Sequence, residues 1–383
     1  MRAFANILNL LNPRAPKGLI RAAEAWVTKR NLAAPQLRQS QPAAWCRQIF
    51  PAEENIRLIE PGQEASPFVE YQTIRWTVTE PANLFYVSGA RLLGREGAVI
   101  SSDNHVFAEF TMPPASNWHD HACFKRRAVP PIKRLSGWYA TIAWPESEFF
   151  FHWMIESLPR MALLKDYISI LDGLFVSGRI QSFHIEALAK LGIPESKLIQ
   201  LGADSHFQPE HLFVPRAFAM YNPPRWLVQW FRTSFLKDDV VSASTGAHRS
   251  RLYISRADAP ARKISNEREV EATLAPLGFI TIRLSELSVN EQAKLFAQAD
   301  IIIAGHGAGL SNIVFCGPGT RIIEIMPPRW MAPCFMSLAV AADCVYRYVI
   351  GEEGQVGRDD VTPQRQNVTA PVKRLAQVLS EFI

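Results

Sequence analysis

The spacing of apolar residues changes character along the chain. Between 56 and 112, short alternating runs (Thr73–Val78, Leu84–Val87, Ala98–Ile100, Val106–Phe110) are separated by Pro, Gly, Asn and Asp. That pattern predicts strands and hairpins. Residues 113–147 are irregular around Pro113-Pro114 and Pro130-Pro131, with a strand expected near Gly137–Ala143. From Phe149 to Tyr167 apolar residues recur at three- and four-residue spacing, which predicts a helix interrupted near Pro159. Strands are expected at Gly173–Val176, Ile199–Leu201 and His211–Val214, and helices at Ser182–Leu191, stopped by Gly192, and Pro223–Leu236.

The C-terminal half alternates more strictly. Strands are predicted at Arg251–Ser255, Phe279–Leu284, Ile301–Ala304, Arg321–Ile325 and Tyr346–Ile350. Between them lie helices at Asn266–Leu277, Ser288–Ala299, Leu310–Phe315 and Pro333–Ala342, and a last helix spans Pro371–Ile383. Ser288 with Glu291 forms a capping-box pattern, and Asn266 is a candidate cap. This β-α-β alternation implies a parallel, doubly wound sheet. Residues 238–250 have linker composition. The expected organisation is an N-terminal extension (1–55) with loose helices, a first α/β domain (56–240), a second, Rossmann-like domain (241–365) and a C-terminal helix (366–383) that packs back on the first domain.

Composition alters this picture in few places. The chain has 383 residues, 48% of them hydrophobic, enough for two domains with sizeable cores. No run approaches the roughly 18 apolar residues of a spanning helix, and the N-terminus is too polar for an export signal, so a cytoplasmic protein is expected. The net charge of +5 is concentrated in residues 1–30, where Arg2, Arg14, Lys17, Arg21, Lys29 and Arg30 face Glu24 alone. With Phe4, Ile7, Leu8, Leu11, Trp26 and Val27 interleaved, this segment reads as a solvated arm or as a peripheral contact with anionic lipid at the inner face of a membrane. No basic patch with interleaved aromatics appears in the body, so nucleic acid is not an expected partner. Five cysteines without a CxxC pair are expected to be reduced.

Candidate chemistry gathers at two places. Gly305-His306-Gly307-Ala308-Gly309 follows a predicted buried strand and precedes a helix, where an open α/β sheet presents backbone N–H groups to an anion. His306 there suits a phosphate or sugar hydroxyl, or acid/base work. Arg256 ends another strand of the same sheet and suits bidentate contact to a pyrophosphate. Glu324, near the end of a third, suits ribose hydroxyls, or a salt bridge. The pattern is not GxGxxG, so a nicotinamide cofactor is not expected. In the first domain His152 and Glu156 lie four residues apart on one helix face. Glu156 in an aromatic setting is a candidate general base. The spacing also admits a metal pair completed from His119-Asp120-His121, or a satisfied buried hydrogen bond. Neither a GxSxG elbow nor a P-loop occurs.

Leu252-Tyr-Ile-Ser-Arg256, Arg262, Asn266-Glu267, Gln292, Ala299-Asp300, His306-Gly-Ala-Gly-Leu310, Asn312, Phe315, Pro318-Gly-Thr320 and Glu324-Ile325 resemble the signature of glycosyltransferase family 61. His152-Trp153, Glu156 and Leu158-Pro-Arg160 match its upstream motif. The resemblance covers roughly 140–326. It implies a GT-B-like architecture, two Rossmann-like domains facing a cleft, and inverting transfer without an essential metal or cofactor. Arg256, Arg262, Gly305, His306, Gly307, Ala308, Gly309, Asn312 and Glu324 would hold a nucleotide-sugar, a UDP-sugar being the expected donor. Glu156 with His152 would be catalytic, and Trp153 and Arg160 would face a glycan or lipid-linked acceptor. Many family sequences carry Asp where this chain has Glu156. Without a signal-anchor helix the chain looks like bacterial members that build capsule or exopolysaccharide. The alternatives are an epimerase-like nucleotide-sugar enzyme and a non-catalytic subunit of a polysaccharide assembly.

Overall fold

The computed structural model describes residues 16–33, 44–53, 78–112, 117, 120–125, 129–217, 220–236, 250–353 and 362–383. The strand expected at Thr73–Val78 lies almost wholly outside them. The chain divides into two compact units, Met1–Ala52 with Glu80–Phe218, and Glu53–Thr79 with Ala219–Ile383.

The first unit is built on one mixed sheet. Its strands are β1 (Leu19–Ile20), β2 (Ala44–Phe50), β3 (Ala82–Val87), β4 (Arg91–Leu93), β5 (Ala98–Ile100), β6 (Val106–Phe107), β7 (Lys133–Thr141), β8 (Gly173–Ser177), β9 (Leu198–Leu201) and β10 (His206–Arg216). The order is β1-β6-β5-β4-β10-β7-β8-β9, with β3 also on β10 and β2 on β3. Strands β10, β7, β8 and β9 run parallel. Strands β3 and β4 run antiparallel to β10, so this unit is only half Rossmann-like, in contrast to the expectation of two such domains. Strands β3 and β8 are buried at every position, in keeping with their mostly apolar residues.

Residues 16–33 are not a detached arm. Helix α1 (Ala23–Ala33) buries Ala23 and Val27 in the core that holds Phe85, Phe107, Phe175 and Leu212. Its Trp26 meets Phe107 edge-on at 5.0 Å, and Arg30 lies over the Trp26 ring. The apolar face that the lipid-contact reading needed from this helix is therefore occupied within the fold. Residues 1–15 lie outside the described residues.

The second unit contains β11 (Ser250–Ile254), β12 (Phe279–Ile282), β13 (Ala299–Gly305), β14 (Arg321–Met326) and β15 (Val345–Ile350), all parallel, in the order β12-β11-β13-β14-β15. This is a doubly wound sheet whose direction of winding reverses between β11 and β13, where such sheets bind ligands at their carboxyl ends. Alternation on β13 and β14 puts Ile301, Ile303, Ile323 and Ile325 on one face. Helix α2 (Ser182–Lys190) belongs to the first unit, and α3 (Arg225–Leu236), α4 (Glu267–Leu274), α5 (Val289–Ala297), α6 (Cys334–Ala341) and α7 (Val372–Ser380) to the second. Val270 and Leu274 of α4 and Leu375, Val378 and Leu379 of α7 cover that isoleucine face. The C-terminal helix thus packs into the second unit's own core, correcting the expectation that it returns to the first. Phe231 and Phe235 of α3 pack on Phe315, so the boundary falls before α3 and not at 240.

Ser288 caps α5 in a complete capping box with Glu291, as its sequence predicts. Asn266 makes no side-chain cap. Its amide bonds Glu269 and both backbone groups of Ala370 instead, tying the approach to α7 onto α4. All five cysteines are free, and Cys123, Cys316 and Cys334 are buried. Among the described residues no helix is long and apolar enough to cross a membrane.

Candidate active site

In the second unit a pocket of about 100 Å³ opens at the point where the strand order reverses. It is lined from β11 and the loop after it by Ser255, Arg256 and Asp258, and from the turn after β13 by Gly305, Gly307 and Gly309. The glycines are required by close approach. A Cβ at Gly307 would stand 1.6 Å from Arg256 Nη1, and one at Gly305 would stand 2.9 Å from Arg256 Cδ. The guanidinium therefore lies directly on the glycine turn.

Arg256 is held there by backbone oxygens. Its Nε donates to Arg262 O at 2.8 Å and Nη2 to Ala261 O at 2.7 Å. Arg262 in turn donates from Nε to His306 O at 3.1 Å, lies over the Trp330 ring, and has φ of 54°, a left-handed conformation rare for a side chain of this size. Burial, and then the neighbouring Arg262 charge, push the Arg256 guanidinium down to about 10. Neither arginine forms an ion pair with a carboxylate among the described residues. Two half-satisfied cations beside a glycine turn make a strong anion-binding arrangement.

His306 follows β13 directly and is 3% exposed. Its Nδ1 pairs with Glu324 on the adjacent β14, and Tyr346 of β15 donates to the other Glu324 oxygen. Trp330 and Phe335 enclose the ring. Glu324 is fully buried with both oxygens engaged, so it orients His306 and does not face the pocket as a ribose acceptor would. Asn312 is likewise fully buried, donating to Gln292 Oε1 at 2.8 Å and Gly309 O at 3.1 Å. Gln292 also donates to Leu284 O and Leu287 O. Asn312 braces the turn from behind and is not placed to touch a donor. Ala308 and Gly309 open a 3-10 helix, Ala308–Phe315, two residues ahead of the short helix expected from Leu310.

The second constellation lies in the first unit, between the carboxyl end of β7 and β8. The segment after β7 enters a helix at Phe150, passes into a π-helical turn, Trp153–Ser157, and then a 3-10 turn, Leu158–Arg160. Pro159 accounts for the change, because it has no N–H for the helical ladder and its ring crowds the preceding carbonyls. Such π turns recur at functional sites.

Glu156 lies within that turn, 4% exposed. Its Oε1 accepts from Trp144 Nε1 at 3.1 Å and its Oε2 from His152 Nδ1 at 2.6 Å. On the other side of the imidazole, His152 Nε2 meets Glu146 Oε2 at 2.9 Å. Burial opposes charge on His152, but the two carboxylates outweigh it and raise its pKa to about 9. Both ring nitrogens therefore donate, and the group is an imidazolium. Arg160 is 1% exposed, lies over the Trp144 ring at 4.3 Å, and donates to the Glu156 and Ala143 carbonyls. Trp153 is fully buried against His184. Arg160 and Trp153 thus support the site from within, correcting the expectation that they face an acceptor.

Among the described residues the metal alternative is not assembled. Among the described residues no group of three or more His, Cys, Asp or Glu could hold an ion. His119 lies outside those residues, and His121 pairs with Glu96 at 3.1 Å. Sequence reasoning missed Glu146, Trp144, Asp258, Trp330 and Tyr346. The Trp144-Pro145-Glu146 run just ahead of a helix was the available signal for the first two and the closeness of Asp258 to Arg256 for the third, while Trp330 and Tyr346 come from a later loop and strand.

A parallel sheet with an arginine laid on a glycine turn at its switch point is an arrangement suited to a phosphorylated ligand. Comparison with known proteins narrows the class. Residues 150–323 match the family model for Glycosyltransferase 61. A rice (Oryza sativa subsp. japonica) protein named beta-1,2-xylosyltransferase XAX1 is 34% identical over 146 residues, 36% of this chain and 25% of the relative. A second rice protein, beta-1,2-xylosyltransferase RCN11, is 24% identical over 164 residues, 38% of this chain and 29% of the relative. A beta-1,2-xylosyltransferase of Arabidopsis thaliana is 38% identical over 56 residues, 15% of this chain and 10% of that protein. The chain spans about a quarter of the length of the two rice relatives it matches. These relatives are plant xylosyltransferases by name, where the resemblance pointed to capsule-type bacterial members.

Proposed function

We propose that this protein is an inverting glycosyltransferase that moves a sugar, a pentose in the first instance, from a UDP-sugar to a hydroxyl of a glycan or lipid-linked acceptor. The observation that carries the reading is the Arg256 guanidinium, buried on Gly307 at the switch point and in no ion pair with a carboxylate among the described residues. A diphosphate supplies the missing charge. The N–H groups of the turn are further donors to it, with His306 bracing the turn from behind. As the bond from the anomeric carbon to the diphosphate breaks, the charge that develops on the leaving oxygen is met by fixed cations and amides. The pentose preference rests on the names of the relatives, and the inverting, metal-independent GT-B-like course rests on the family resemblance. A cytoplasmic setting at the inner membrane face, in surface polysaccharide synthesis, rests on that resemblance and on the basic residues 1–30.

A thermal-shift titration with UDP and UDP-xylose tests the donor site. Ligand at about 100 times its dissociation constant stabilises the native state by about 2.7 kcal/mol. Arg256→Ala should abolish the shift while leaving the free protein folded. An undiminished shift in that variant removes the donor assignment.

A further inference from the structure

The pocket of the second unit has three chemically different walls. Arg256 and the glycine turn form a wall of donors, and Ile254, Leu284 and Leu310 form an apolar one. The third is Asp258, the one acidic residue among the described residues that line the pocket. A turn closed by Ala259 N donating to Arg256 O at 3.1 Å carries Ala257 and Asp258 at its centre. Asp258 therefore follows Arg256 by two residues on the same rim. Its Oδ2 accepts from the Ser285 hydroxyl. Ser285 sits in the 3-10 turn Leu284–Glu286 after β12, so this bond ties together the loops that leave the carboxyl ends of β11 and β12. Asp258 Oδ1 has no partner among the described residues. The carboxylate is near enough to Arg256 to favour its charge, yet the two form no ion pair.

An ionised carboxylate can only accept hydrogen bonds, and the same holds for ionised phosphate oxygens. Between the two there is repulsion and no bond. A carboxylate on the rim of an anion pocket therefore opposes a bare phosphate and is satisfied by a ligand that also brings donors. Sugar hydroxyls are such donors. We propose that Asp258 accepts a hydrogen bond from a sugar hydroxyl of the ligand whose phosphate lies on Arg256, so that the pocket selects a phosphate esterified to a sugar over free phosphate or pyrophosphate. This rests on the donor reading above, and it gives Asp258 the role for which Glu324 was the expected residue. Glu324 cannot fill that role, because its two oxygens are engaged by His306 and Tyr346. The apolar wall agrees with the assignment. Leu284 brings it onto the turn, since a Cβ at Gly309 would stand 2.6 Å from Leu284 Cδ1. The carbon face of a sugar or a base suits that wall, and a bare phosphate does not. Attraction of the hydroxyl and repulsion of the unesterified anion then act in the same direction.

The experiment is calorimetric titration of the full chain, and of Asp258→Ala and Asp258→Asn, with UDP, UDP-xylose and pyrophosphate. Asp258 is exposed on a loop, so the free variants should melt as the wild type does. Asp258→Ala should weaken nucleotide binding by about tenfold or more, the size of a hydrogen bond to a charged group, and should leave pyrophosphate binding equal or tighter. Asp258→Asn, which keeps an acceptor oxygen without the charge, should fall between. The hydroxyl has two sources. Weakened UDP assigns the ribose, and weakening of UDP-xylose alone assigns the transferred sugar. Binding of both nucleotides by Asp258→Ala within about twofold of wild type overturns the proposal. So does an equal loss for UDP and pyrophosphate, which would make Asp258 a support for Arg256 and not a hydroxyl acceptor. A wild-type chain that binds neither nucleotide removes the donor reading, and this proposal falls with it. Wild type and Asp258→Ala binding alike overturns only this one.

Discussion

Arg256 and Gly307 are one device. The arginine can lie across the turn only because position 307 has no Cβ. Gly307→Ala would place that atom 2.5 Å from Arg256 Cζ as well as against Nη1. The guanidinium must then move, and the variant should lose UDP binding in the same thermal-shift assay as Arg256→Ala. Normal UDP binding by Gly307→Ala would show that Arg256 is not held where the donor needs it. His152 makes a second prediction at this scale. Its pKa is raised from 6.5 in the unfolded chain to about 9 in the fold. A raised pKa contributes stability that is complete below 6.5 and is lost as pH rises through about 9. The melting temperature of the wild-type chain should therefore decline across that window. His152→Gln should remove much of the decline, and an unchanged slope would contradict the imidazolium assignment.

Helix α3 shows how an element is held from outside its own sequence. Its first N–H groups have no intrahelical partner. Glu53, far earlier in the chain, supplies both of its oxygens. Arg225 N donates to Oε2 at 2.7 Å and Trp226 N donates to Oε1 at 3.2 Å. Its own backbone is fixed by Thr79, whose hydroxyl accepts from Glu53 N and whose N–H donates to Glu53 O. A carboxylate at a helix N-terminus also opposes the dipole. Glu53→Ala should cost about 1–2 kcal/mol, the size of losing a good cap, seen as a lowered urea midpoint at unchanged m-value. A midpoint equal to wild type would show that water replaces the carboxylate. The π turn at Trp153–Ser157 is the other element with a local cause, Pro159, and it holds Glu156 between Trp144 and His152.

For the whole molecule, the donor reading places the phosphate contacts on the second unit. If arginines and amides stabilise the leaving diphosphate, UDP-xylose should shift the melting temperature equally with and without EDTA. A shift that requires a divalent cation would remove the metal-independent course. The strand–helix alternation of the second unit was legible because each element is amphipathic or wholly apolar over its own length, as in Ile301–Ala304 and Ser288–Ala299. The first unit was less legible. Strand β2 and helix α1 lie in a segment of loose composition, and they become ordered against Phe85 and Phe107.

The sequence alone determined the parallel second sheet, the glycine turn after β13, and the residues at its strand ends, because period, capping and glycine spacing are local properties of the chain. It also brought His152 and Glu156 together, since four residues on a helix are neighbours. Only the tertiary structure decided what these groups do. Glu324 could be seen to orient His306, Asn312 to brace the turn, and Glu156 to be spent on Trp144 and His152, once burial and partners were known. Those depend on contacts between residues such as Glu146 and His152, or Glu324 and Tyr346, whose pairing is set by strand order and loop path and leaves no periodic trace in the chain.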